Sequence, residues 1–197
     1  MKGFFKRSNG KIDMILITTV IMNTMYFATF PAIWYQTYQA ITSGLINLDN
    51  MVREISCIIF SLLWRNYADK LYKKYPKFLA LEAVTSAITI AIVWLTRDLK
   101  VYFIVNLIGV ALTTNNISCG GRLLRTKRYT TETERNNFEQ SNSVMASTGV
   151  IVGSLIGMYM GNVISVEWLI TIGLVTAMTD NVCYYFIYNA MEKEKEE

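Results

Sequence analysis

The sequence has no histidine, only 2 prolines and 3 cysteines, and long stretches with no charge. Without imidazole, a histidine proton relay and most zinc chemistry are excluded. Cys57, Cys119 and Cys183 have neither metal-ligand spacing nor the pattern of a disulfide framework, and read as small apolar helix residues. No Ser or Cys nucleophile stands with a base, and no phosphate-binding glycine loop occurs. The residues therefore point away from an enzyme, a metal or any other cofactor. Charge is absent from Met14 to Leu48, Val101 to Gly121, Ser141 to Val166 and Leu169 to Thr179. A bilayer core takes about 20 apolar residues per helix, and these stretches suffice. A soluble helical bundle would show charged faces at helical spacing, which they lack.

What is present is hydrophobic but not uniformly so. Hydrophobic residues make up 52% of the 197 residues, aromatic ones 13%. Mean hydropathy is only +0.28, because many uncharged residues are Thr, Ser, Asn and Tyr, as in helices that line something polar. The pattern predicts an all-α membrane protein with six transmembrane helices. They fall near Asp13–Thr37, Leu45–Trp64, Lys77–Thr96, Lys100–Cys119, Asn142–Met160 and Val166–Asn189. A basic N-terminal segment, 1–12, precedes the transmembrane domain, 13–189, and a charged tail, 190–197, follows it. The first apolar run is long and has no small-residue cleavage site, so it reads as a retained helix rather than a signal peptide. Gly120-Gly121 reads as the terminator of the fourth helix.

The basic residues orient this layout. Lys2, Lys6, Arg7 and Lys11 precede the first helix. Arg65, Lys70, Lys73, Lys74 and Lys77 follow the second, and Arg122, Arg125, Lys127, Arg128 and Arg135 follow the fourth. With Lys193 and Lys195 in the tail, 16 of the 19 Lys and Arg fall on one side, leaving Arg53, Arg97 and Lys100 for the other. Positive charge is retained in the cytoplasm, which predicts a multi-pass cell-membrane protein with both termini inside. The second helix is the weakest of the six, since Asp49, Arg53 and Glu54 interrupt it. Without that crossing, however, the two most basic loops would lie on opposite sides. The loop Arg122–Arg135 suits anionic headgroups rather than nucleic acid, because Glu132 and Glu134 interleave its cations.

The stretch Arg65-Asn66-Tyr67-Ala68-Asp69-Lys70-Leu71-Tyr72-Lys73-Lys74 resembles the signature between the second and third helices of the major facilitator superfamily of transporters. Ala68, Asp69, Lys70, Lys73 and Lys74 fit it, and Arg65 and Tyr72 stand in place of its two glycines. The resemblance implies that Asp69, with Lys70, Lys73 and Lys74, belongs to an inner gate. The plainer alternative is a basic loop that fixes topology. Gly149, Gly153, Gly157 and Gly161 recur every four residues on one helix face, a spacing that lets helix backbones approach closely. Gly149 to Gly157 also looks like the fifth-helix motif of the family's drug/proton antiporters, which implies export of a small molecule. Ser154 replaces its Pro and Met158 a further Gly. Many proton-coupled members carry an Arg in the fourth helix, and here Asn106 stands in that stretch.

The resemblance covers nearly the whole chain and implies a half-transporter built from two inverted three-helix repeats. Helices one and four are then equivalent and line a central cavity. Thr19, Asn23, Tyr26 and Gln36 on the first, with Asn106, Thr113 and Asn116 on the fourth, are the candidates for contact with a substrate. Alternatively, such residues bond to neighbouring backbones or form an interfacial belt. Glu82 reads as a structural partner of Lys77 or another loop cation. Arg53, Glu54 and Asp180 are candidates for ion coupling, since charge within a membrane is costly. The family places its sixth helix at the periphery. The function expected is secondary transport of a small molecule by a homodimer, or with a second six-helix half. The alternative is a non-transporting accessory, immunity or regulatory protein of the same fold.

Overall fold

The computed structural model describes residues 13–193, and these are helical almost throughout with no strand among them. Six helices follow one another. They are α1 (Met14–Ala40), α2 (Ser43–Tyr72), α3 (Tyr75–Thr96), α4 (Leu99–Arg128), α5 (Glu132–Val163) and α6 (Val166–Lys193). Their starts are marked chemically. Asp13, Asp98 and Thr131 cap α1, α4 and α5 by accepting from the backbone N–H of Ile15, Lys100 and Glu134, which satisfies donors a helix leaves open. Pro76 sits in the first turn of α3, where its missing N–H costs nothing. Arg97 ends α3 in the left-handed region at φ 49°. The basic segment 1–12 and Lys195 in the tail lie outside the described residues.

Two apolar clusters sort the helix ends. One holds Leu16, Trp64, Tyr75, Leu124, Phe138 and Tyr188, from the start of α1, the end of α2, the start of α3, the end of α4, the start of α5 and the end of α6. The other holds Ile33, Val93, Tyr102 and Leu169, from the opposite ends of α1, α3, α4 and α6. Successive helices therefore run in alternate directions. The α2–α3 turn and the α4–α5 connection share one end, where Lys127 Nζ lies 3.5 Å from Asp69 Oδ1.

Five of the helices, all but α2, are long and apolar enough to cross a membrane. The chain is thus all-α with several candidate membrane helices. Leu95, Ile58, Leu155, Met158 and Phe186 are exposed, whereas Asp49, Thr29, Thr37 and Thr113 are buried. An apolar exterior, with polar and charged side chains turned inside beside the apolar clusters, is the pattern expected of a chain solvated by lipid. α2 has 30 residues with a kink at Tyr67 (φ −131°, ψ 29°); its Trp64 packs into the first cluster, while its Arg53 lies over Trp34 in the second half of α1. The low hydropathy of α2 comes partly from Asp49 and Arg53, which are paired with each other at 2.8 Å.

The tightest seam joins α1 to α5 along the glycine face. A Cβ at Gly149 would meet Asn23 Cβ at 2.7 Å and the Val20 carbonyl oxygen at 2.8 Å. At Gly153 it would overlap the Thr24 carbonyl, and at Gly157 it would lie 2.8 Å from that of Phe27. Only Gly lets these backbones come so near. The expectation for Gly120-Gly121 is corrected: α4 runs through both to Arg128. Gly120 is there because the Tyr75 ring lies against its Cα, leaving no room for a side chain.

Candidate functional site

A cavity of about 420 Å³ opens among α1, α2, α3, α4 and α6. Its wall on α1 is aromatic: Tyr26, Phe30, Trp34 and Tyr38 recur at every fourth position and all line it. One helical turn is close to four residues, so the rings stand above one another. Tyr26 and Phe30 stack with centroids 4.5 Å apart, and Trp34 and Tyr38 lie 5.3 Å apart.

The opposite wall is charged and polar. Arg53 Nε donates to Asp49 Oδ2 at 2.8 Å, and its guanidinium lies 5.3 Å from the centre of the Trp34 ring. Asp49 is 2% exposed, yet its Oδ1 has no hydrogen-bond partner among the described residues, and neither does the buried Arg53 Nη2. Glu82 reaches in from α3, accepting from Asn181 Nδ2 at 2.9 Å and Thr114 Oγ1 at 3.2 Å. No Lys or Arg among the described residues forms an ion pair with Glu82. Its sequence-based pairing with Lys77 is therefore corrected. Glu82 faces inward because the helix turns it toward α4 and α6, away from the basic loop.

α4 changes its winding beside this cavity. Val110–Thr114 form a π-helical turn, and Val110, Thr113 and Thr114 line the cavity. Such turns displace a carbonyl from the regular ladder, and Ser56 Oγ of α2 donates to the Ala111 carbonyl at 3.2 Å. Asn115 Nδ2 reaches the Arg53 carbonyl at 3.0 Å and Ser56 Oγ at 3.1 Å. Farther along, Trp64 Nε1 donates to Asn116 Oδ1 at 2.7 Å. These bonds fasten α2 to α4.

A second cavity lies toward the basic end, lined by Tyr75, Asn115, Arg122, Arg125, Asp180 and Tyr184 among others. Arg122 Nη2 donates to Cys119 Sγ at 3.2 Å. At the basic end itself, Asp69 is 91% exposed beside Lys127. Lys127 also stands over the Tyr72 ring, 4.2 Å from its centre. Tyr72 occupies a place where the transporter signature has glycine. It is buried against Tyr188, with ring centroids 5.0 Å apart. Lys73 and Lys74 form the turn between α2 and α3, and Lys70 lies in the last turn of α2.

The structure divides the expected substrate residues. Tyr26, Asn106 and Thr113 line the main cavity. Thr19 instead donates to Asn142 Oδ1 on α5 at 2.9 Å, and Asn23 to the Thr19 carbonyl at 2.8 Å. Gln36 is half-buried outside the cavity lining, and Asn116 is committed to Trp64. Of the coupling candidates, Arg53 lines the main cavity and Asp180 the second one, while Glu54 is exposed outside both. α6 packs on α1 and α3 and supplies Gly173, Leu174, Thr176 and Ala177 to the main cavity, so it is not confined to the periphery. Phe30, Trp34, Asp49 and Glu82 also line the cavity, beyond the substrate and coupling residues expected from the sequence. The aromatic period of four on α1 is the signal that marks two of them.

No family model, curated protein or solved structure matches this chain.

Proposed function

We propose that the chain is a half-sized secondary transporter in the cell membrane. It crosses the bilayer six times with both termini in the cytoplasm, and works as a homodimer or with a second six-helix half. The observation that carries this reading is the polar cavity, with the buried, half-satisfied Asp49 in its wall. A buried polar group without a partner is costly. A charged group within a membrane bundle is retained chiefly where it meets a permeant molecule or ion. The placement of 16 of the 19 Lys and Arg supports the orientation. The shared end of the two basic connections supports a crossing by α2, because α2 must run the height of the bundle to bring Asp69 to Lys127.

Reconstitution into sealed vesicles tests the reading. Flux of a small solute down an imposed gradient is expected, with loss of flux in Arg53→Gln and in Tyr26→Ala. Crosslinking in native membranes should capture a second copy or a partner half. Monomer alone, with no flux of any solute that binds, would overturn the transporter reading in favour of an accessory membrane protein.

A further inference from the structure

Resting on that reading of the cavity, we propose that its substrate is an organic amine: an ammonium group carried on an aromatic or apolar body. The first support is charge. Asp49 and Glu82 bring two carboxylates to the wall and Arg53 one cation, which is already paired with Asp49 at 2.8 Å. Glu82 is left with hydrogen bonds but no counter-ion among the described residues. An ammonium supplies the missing charge; a carboxylate or phosphate would add a third anion to a low-dielectric site.

The second support is hydrogen-bond capacity. An ionised carboxylate offers about four lone-pair sites. Glu82 uses one oxygen on Thr114 and the other on Asn181, and it is only half-buried, so its remaining lone pairs stay within reach of a molecule in the cavity. The open capacity at Glu82 is therefore for donors, and an ammonium N–H donates without accepting.

The third support is the α1 wall. Tyr26, Phe30, Trp34 and Tyr38 present a column of rings to the cavity. Aromatic faces attract cations and stack on flat apolar bodies. Trp34 already holds one cation, the Arg53 guanidinium, at 5.3 Å. An amine with a ring or alkyl body thus finds a counter-charge at one wall and an apolar surface at the other.

The test is equilibrium binding to the purified full chain in lipid nanodiscs. Dansylcadaverine, an ammonium bearing a fluorescent ring system, is compared with dansylglycine, the same ring system bearing a carboxylate. Saturable blue-shifted emission is expected with dansylcadaverine and none with dansylglycine. Glu82→Gln should weaken binding by about tenfold or more, as for loss of a charge-assisted contact. Competition on the unmodified chain keeps the test open should that variant fail to fold. Benzylamine should displace the probe better than benzyltrimethylammonium, which has no N–H, and benzoate should not displace it. Equal binding of both dansyl compounds, or displacement by benzoate as strong as by benzylamine, overturns the proposal. Flux assays separate this from the transporter reading. Amine binding without flux sinks transport alone, whereas flux of an acid with no amine binding sinks the amine assignment alone.

Discussion

Tyr129 donates its phenolic hydrogen to Asp13 Oδ2 across 2.5 Å, joining residues 116 positions apart. The same carboxylate caps α1 through the Ile15 N–H and lies 3.8 Å from Arg128 Nη2. Both partners are buried, Asp13 at 3% and Tyr129 at 4% exposure. This small network ties the first turn of α1 to the connection between α4 and α5.

A pH prediction follows from that bond. Burial first, and then the hydrogen bond to Asp13, push the Tyr129 phenol well above its ordinary value of 10.0. The folded state thus favours the protonated phenol. Its contribution is complete below the unfolded value near 10 and is lost as pH rises from there toward the folded-state value. Tyr129→Phe should lower stability by about 1.5–3 kcal/mol at neutral pH, the range for a bond to a charged group, and should lessen the alkaline loss. Thermal unfolding in detergent, run from neutral to alkaline pH, reads both effects. An unchanged alkaline limb in the variant would remove Tyr129 as its source.

The glycines should differ in a graded way. Gly109 has nothing within 4 Å of a built Cβ, Gly161 meets only Ala32 Cβ at 3.2 Å, and Gly153 runs into the α1 backbone at Thr24. Gly109→Ala should be neutral or mildly stabilising. Gly161→Ala should cost little, and Gly153→Ala should destabilise by about 1–3 kcal/mol, as overpacking does. Melting temperatures of the three variants in one detergent give the order. A neutral Gly153→Ala would mean that the α1–α5 seam is looser than 2.7–2.8 Å approaches at Gly149 and Gly157 imply.

The bond between Trp64 and Asn116 is suited to a double-mutant cycle. Asn116→Leu leaves the indole N–H buried without its 2.7 Å acceptor, a loss of about 1–3 kcal/mol. Trp64→Phe combined with Asn116→Leu removes both polar partners, so the pair should be less destabilising than the sum of the single changes. Strict additivity would show that the two side chains do not interact.

The pair at the basic end makes the opposite prediction. Because Asp69 is 91% exposed, Lys127→Gln should change stability by less than about 1 kcal/mol. The geometry remains testable by crosslinking. A carbodiimide, which joins an amine to a carboxylate without a spacer, should link Lys127 to Asp69, since Nζ and Oδ1 approach within 3.5 Å. Labelling that reached Lys73 and Arg128 from opposite sides of the membrane would contradict both the link and the orientation.

Much of the layout is visible in the residues themselves. Uncharged runs mark the helices, and the four-residue period of Gly149 to Gly161 marks a close helix contact, which α1 supplies. The inward faces are harder to read. α3 is apolar on nearly every side, so nothing local tells that Glu82 turns toward Thr114 and Asn181 rather than toward Lys77. Thr19, Asn23 and Asn116 are polar in the same way as Asn106 and Thr113, yet they serve contacts with α5, with α1's own backbone and with α2. Only tertiary neighbours separate the two groups. A glycine pair inside a helix is equally ambiguous: whether Gly120 ends α4 or admits Tyr75 depends on a ring supplied by another helix.

The glycine seam also has a consequence for biogenesis. Synthesis completes α1 well before α5, the helix shaped to receive it, which begins only at Glu132. Until then the α1 backbone along Val20 to Ala32 lacks the glycine face it fits against, and Thr19 lacks the amide of Asn142. A nascent chain halted within α4 would hold α1 without α5 and α3 without α6, so both helices would present faces that the finished bundle covers.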